Sequence, residues 1–231
     1  MGSLRGGEPA LTARAPARPS PRADPGDVVA TGIGYTGPVH YAHVLADDEK
    51  RELLRIARAT LREHGYSGRI PPGKPHRESL VAPAAVFVSL HRGGDLRGCI
   101  GSIEAERPLY RAVQEMAVAA ASRDPRFSPL DPDELDGTEI EISVLGGARR
   151  IAGPDDVTIG TDGVWIEGHG RRGLLLPQVA PDAGWDAPTL IQKTCHKAGL
   201  PPDAWHDPDV KLWAFGAQVF SDQTHPPARR R

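Results

Sequence analysis

The sequence is short of cysteine, aromatic residues, net charge and long apolar runs, and each shortage removes a class of protein. Two cysteines among 231 residues, at positions 99 and 195, cannot build the disulfide framework of a small secreted domain. Reduced thiols in a cytoplasmic setting are the expectation. Aromatic residues make up 5% of the chain, and the formal net charge is −2. A dedicated nucleic-acid binder would carry a basic excess, which is missing here. No run approaches the roughly 18 apolar residues of a membrane span. No apolar stretch of about seven to fifteen residues follows the basic start, as a secretory signal would require.

What is present suffices for a substantial core: 39% of residues are hydrophobic and 25% charged. With 26 glycines and 23 prolines, turns and loops take a large share of the chain. Residues 1–44 stand apart. Positions 11–27 are mostly Ala, Arg and Pro, with too few large apolar side chains to offset the entropy of ordering, so a disordered tail is expected. Residues 223–231 read as a basic C-terminal tail. His40 and His43 are spaced like a metal pair on a helix, but nothing nearby supplies further ligands. Zinc, iron–sulfur, GxGxxG and Walker patterns are all absent, so no metal or cofactor is expected.

Between the tails the periodicity alternates between helix and strand. Leu53, Leu54, Ile56, Ala57 and Leu61 share one side of a helix over about 48–64, with Gly65 as its stop. Residues 84–91 read as a buried strand, Gly93-Gly94 as a tight turn, and 96–103 as the return arm of a hairpin. Pro108 opens a second helix, striped by Leu109, Ala112, Val113, Met116, Ala117 and Ala120, and Asp124-Pro125 ends it. Over 138–145, Glu139, Glu141 and Ser143 alternate with Ile140, Ile142 and Val144 as on a strand. Short strands are expected at 164–166 and 173–176, around the Gly168-His169-Gly170 turn. A third helix follows Asp186, its N-cap, and closes at Gly199; a last strand covers 211–220. Hairpins mixed with separate helices predict an α+β fold, with a mainly antiparallel sheet and flanking helices.

Leu96-Arg97-Gly98-Cys99-Ile100-Gly101 resembles the hallmark hexapeptide of the AMMECR domain family, also called AmmeMemoRadiSam system protein A. Asp124-Pro125-Arg126-Phe127, Glu141-Ile142-Ser143-Val144-Leu145 and Lys197-Ala198-Gly199-Leu200-Pro201 are similar to further family stretches, in the same order. Gly173-Leu174-Leu175-Leu176-Pro177-Gln178-Val179-Ala180 resembles its second signature. The resemblance covers roughly 45–222. It implies a larger sheet-and-helix lobe and a smaller lobe, with signature residues around a cleft between them. It also implies a radical SAM protein and a Memo-type, dioxygenase-like protein as pathway partners, without fixing the reaction.

Cys99 is the candidate nucleophile or proton donor. Strand geometry sets Arg97 on the same face, where a cation would lower the thiol pKa. Gly98 and Gly101 would let a backbone or a substrate approach closely, and nearby N–H groups are candidates for holding an oxyanion. Small buried cysteines and glycines at a bulge are equally ordinary packing features. Glu141 is the candidate to orient Arg97 or move a proton, if its polar face lines the cleft rather than solvent. Asp124 and Arg126 form either a substrate clamp or a local ion pair, since the planar guanidinium fork suits an oxyanion. Gln178 is placed to read a polar ligand or to end a strand. Cys195 lies on an apolar helical stripe and reads as core. Two functions remain open: an enzyme acting on a small polar or nucleotide-like substrate, and a non-catalytic adaptor that presents an intermediate to the two partners.

Overall fold

The computed structural model describes residues 29–30, 43–73 and 75–226. Most of the expected N-terminal tail, His40 included, and residues 227–231 of the C-terminal tail lie outside the described residues. Of the former, Val29–Ala30 forms a short strand, β1, paired in parallel with Ile100 and Gly101.

Helix α1 spans Asp47–Ser67. Glu49 accepts the Ala46 N–H at 2.8 Å and so satisfies one of the first-turn donors. The helix runs through Gly65 and stops at Gly68, whose φ of 70° supplies the left-handed cap that position 65 does not adopt. Strands β2 (Val86–Arg92) and β3 (Asp95–Ser102) form the expected hairpin. Gly93 and Gly94, with φ of 61° and 88°, make the primed two-residue turn that matches strand twist. Helix α2 (Leu109–Ser122) follows, then β4 (Thr138–Ile151). This strand passes beyond Leu145 because Gly146-Gly147 forms a bulge against the last strand rather than an end. Strands β5 (Gly163–Gly168) and β6 (Arg171–Leu175) form a second hairpin. Next come the short helix α3 (Val179–Ala183), α4 (Ala187–Lys197) with Asp186 capping Thr189 N, and β7 (Lys211–Ser221).

Strands β2 to β7 form one curled antiparallel sheet in the order β3-β2-β4-β7-β5-β6, with β1 outside β3. The α+β expectation holds. One apolar cluster lies between the sheet and helices α1 and α2. There Leu53, Leu61, Leu109 and Val113 meet Val86, Val88, Leu90, Ile140, Ile142 and Val144. The second cluster joins Val164, Ile166, Leu212 and Ala214 to Leu190, Ile191 and Cys195 of α4, and it reaches Phe87 and Cys99 on the other side of β2 and β3. Each Leu or Ile buried in this way contributes about 1.5–3 kcal/mol relative to exposure. Cys195 is core, as its stripe predicts.

Candidate functional site

The site is best built outward from Cys99. Alternation along β3 sends Ile100 into the cluster under α1 and α2, and Cys99 to the opposite face. Register then aligns Cys99 with Ser89 of β2, and Ser89 with Glu141 of β4. The three side chains form a polar row across three strands. Ser89 Oγ donates to Cys99 Sγ at 3.0 Å. Gln178, the N-cap residue of α3, donates through Nε2 to Glu141 Oε1 at 3.3 Å and to Ser143 Oγ at 3.4 Å. The row therefore runs from Cys99, 1% exposed, through buried Ser89 to half-buried Glu141.

Burial dominates the electrostatics. It pushes the Cys99 thiol up to about 11, against the Ser89 hydrogen bond and the pull of Arg126 and Lys197. At neutral pH Cys99 is a thiol, not a thiolate. Burial likewise raises the Glu141 carboxyl, and Glu139 and Asp182 add to that, while His91 and the Gln178 donor oppose it. The two groups at the ends of the row, Cys99 and Glu141, are thus held toward their protonated forms.

Arg97 is not beside Cys99, which corrects the strand-alternation reading. Leu90 pairs with Gly98 and His91 with Leu96, so Arg97 is the extra residue of a β-bulge. A bulge re-aims its side chain. Arg97 turns to Glu134, 2.9 Å away, and to the carbonyls of Ser128 and Pro129. The Arg97 hydrogen bond in turn holds the Glu134 carboxyl below its usual range. The cations acting on the thiol are Arg126 and Lys197, and Glu141 interacts with His91 and Gln178 rather than with Arg97.

Asp124 and Arg126 form an ion pair at 2.7 Å, and Asp124 Oδ2 accepts the Cys99 N–H at 2.8 Å. Burial opposes the Asp124 charge, but Arg126 and the two backbone donors overcome it and hold the carboxyl below its ordinary value. The pair braces the hexapeptide, and Asp124 occupies the Cys99 N–H. Gly98 and Gly101 are likewise filled by protein. A Cβ on Gly98 would lie 2.2 Å from the Ala120 carbonyl oxygen of α2, and one on Gly101 would lie 2.0 Å from the Phe87 ring. These glycines admit the helix backbone and an aromatic ring at close range.

The chain reading overlooked Ser89 and His91, although Phe87, Ser89 and His91 alternate with Val86, Val88 and Leu90 in a visible period of two. It also overlooked Asp182, because the short helix α3 is not periodic enough to read. A separate groove of about 1010 Å³ lies along the outer face of α1, lined by Arg51, Arg55, Arg58 and Arg62 with interleaved carboxylates. It contains none of the expected site residues. His43 meets Glu49 at 2.9 Å. Among the described residues no group of three or more His, Cys, Asp or Glu is placed to hold a metal ion, and no helix is long and apolar enough to cross a membrane.

The AMMECR1 family model matches residues 54–220. A protein of Methanothermobacter thermautotrophicus is 42% identical over 187 residues, covering 77% of this chain and 96% of that protein. A protein of Methanopyrus kandleri is 39% identical over 194 residues, covering 80% and 94%. The crystal structure of the uncharacterised protein PH0010 from Pyrococcus horikoshii superposes with a TM-score of 0.73 at 36% identity, covering 79% of this chain and 96% of that one. The matched span contains the whole Cys99–Ser89–Glu141 row, together with its Asp124–Arg126 brace and Gln178, and the chain belongs to the AMMECR1 family.

Proposed function

We propose that the protein is an enzyme that performs acid–base chemistry on a small polar or nucleotide-like substrate. Glu141 is the proton donor at the solvent-facing end of the row, and Cys99 stands behind it as a protonated thiol that positions Ser89. The observation that carries this reading is the Cys99–Ser89–Glu141 register, which ends in a half-buried carboxyl kept toward its neutral form. A carboxyl raised by burial and neighbouring carboxylates is how a fold keeps a general acid loaded near neutral pH. In the step, the Glu141 O–H bond breaks as a bond from that proton to the substrate forms. The carboxylate left behind faces His91 and the Gln178 amide donor, and water returns the proton. Thiolate attack by Cys99 is disfavoured by the same burial that raises its pKa.

In this reading the radical SAM and Memo-type proteins supply the redox chemistry of the pathway, and this chain handles protons. A second reading, the adaptor that presents an intermediate to those partners, is favoured by the burial of Cys99 and the internal pairing of Asp124 with Arg126. The deciding experiment incubates the protein with a small-molecule extract in deuterated water and follows mass shifts. Deuterium entering one compound with wild type and not with Glu141→Gln supports the acid. No Glu141-dependent incorporation, with partner binding retained, supports the adaptor.

A further inference from the structure

The groove of about 1010 Å³ on the outer face of α1 shares no residue with the Cys99–Ser89–Glu141 row. It runs from Asp48 to Tyr66, about 27 Å of helix at a rise of 1.5 Å per residue. Arg51, Arg55, Arg58, Arg62 and Tyr66 follow one another at intervals of three or four residues, so they form one stripe along the helix. An open cleft of this length suits a stretch of chain better than a compact small molecule.

Most charges in the groove already have partners. Asp48 pairs with Arg77, and Arg58 is pinned by Asp222 and the carbonyls of Leu135 and Thr138. Arg62 meets Asp136 at 3.0 Å. Glu52 Oε1 accepts the His76 backbone N–H at 2.7 Å and lies 2.9 Å from its ring Nδ1. Two cations are left over. Among the described residues Arg51 makes no ion pair or side-chain hydrogen bond, and Arg55 meets only Glu52, at 3.9 Å, beyond hydrogen-bond reach. The Arg55 side chain is 58% exposed and that of Glu52 11%, so the guanidinium stands open beside a covered carboxylate. At the other end Tyr66 is 85% exposed. Its neighbour Glu63 is engaged by the Ser67 hydroxyl and by no cation among the described residues.

We infer that this groove docks an acidic peptide, an extended segment with two carboxylates on Arg51 and Arg55 and an apolar side chain against Tyr66. The helix sets the spacing. Arg51 and Arg55 are about 6 Å apart along its axis, and Arg55 and Tyr66 about 16 Å. A strand advancing about 3.3 Å per residue covers these distances in two and five residues. Charge selects a peptide over a nucleic acid. The carboxylates of Asp48, Glu52, Glu63 and Asp136 line the groove and repel a backbone charged at every nucleotide. A peptide places its carboxylates only over the two open guanidiniums, which suit them in geometry as well as sign. Glu63 disfavours a further acidic residue at the far end, where the Tyr66 ring offers an apolar face.

The test titrates fluorescein-labelled peptides against the full chain and reads anisotropy. The probe has glutamate at its first and third positions, tryptophan at its eighth, and glycine or serine between; the reversed sequence covers the opposite direction. A lysine-for-glutamate version and an oligo-dT of equal length are the comparison probes. One glutamate peptide is expected to bind, more weakly as salt rises, and the lysine version to bind at least about tenfold more weakly. Arg51→Glu combined with Arg55→Glu should weaken binding by about tenfold or more, and Tyr66→Ser by about threefold. An unchanged melting temperature shows that the reversed pair is folded; Arg51→Gln with Arg55→Gln gives the same reading in milder form if it is not. Equal binding of the lysine peptide, full affinity in the charge variants, tighter binding of oligo-dT, or no binding at millimolar peptide overturns the proposal. So does self-association of the wild type that the charge variants abolish, which would assign the groove to a second copy of the chain.

Discussion

Asp124 Oδ2 accepts the backbone N–H of Cys99 at 2.8 Å, so a carboxylate just past helix α2 fixes the centre of strand β3. The same carboxylate is held by Arg126. Hexapeptide and brace are therefore one unit, although 25 residues separate them.

Asp124→Asn should lower unfolding free energy by about 1.5–3 kcal/mol, since a charge-assisted hydrogen bond is lost and Arg126 keeps its charge. The native pKa of Asp124 lies below its ordinary 3.8, so its stabilisation is present above that pH and is lost as pH falls through the native value. Urea titrations at pH 7 and in the acid range below 3.8 measure this. Equal loss for the variant at both ends would refute the linkage.

Cys99 should resist iodoacetamide in the folded protein at pH 8 and react at the free-thiol rate only in denaturant, because it is buried with a pKa near 11. Arg97→Ala should leave that protection and pKa unchanged, as Arg97 points at Glu134, whereas Arg126→Ala should raise the pKa further. Peptide mass spectrometry separates Cys99 from Cys195. Rapid labelling of Cys99 in the native state would revive the nucleophile.

Gly98→Ala should cost more than about 3 kcal/mol, because its Cβ meets a helix carbonyl oxygen at 2.2 Å that cannot move without shifting α2. Gly94→Ala meets nothing within 4 Å but sits at φ 88°, and its cost should be about 1–2 kcal/mol of left-handed backbone strain. Thermal melts of the two variants give the order; the reverse order would mean that β3 lies farther from α2.

Glu141→Gln should stabilise the fold at neutral pH. The native pKa of Glu141 is raised, so the native state binds the extra proton, and wild-type stability declines as pH climbs from about 4.5 through the raised value. Gln stays neutral and removes that decline. Melting temperatures between pH 4 and 8 should converge at the acid end and diverge toward neutrality, with the variant higher. Parallel curves would show that Glu141 titrates normally.

Local pattern was enough for much of this protein. Alternation in 138–145 assigns Ile140, Ile142 and Val144 to the core and Glu139, Glu141 and Ser143 to the other face, and the structure keeps that division. Asp186 and Gly199 bound α4 because capping chemistry is local. The hexapeptide pointed to the family because its residues are contiguous. What the sequence could not reveal depends on contacts between distant segments. A single extra residue in β3 turned Arg97 away from Cys99, and only its pairing with β2 discloses the bulge. Burial under the second cluster decided that Cys99 stays protonated. That Gly98 admits the backbone of α2 at Ala120 is a tertiary contact, and the polar row exists only because β2 lies between β3 and β4. Side-chain type and spacing are written along the chain, whereas desolvation, register and the identity of an approaching neighbour are set by tertiary packing.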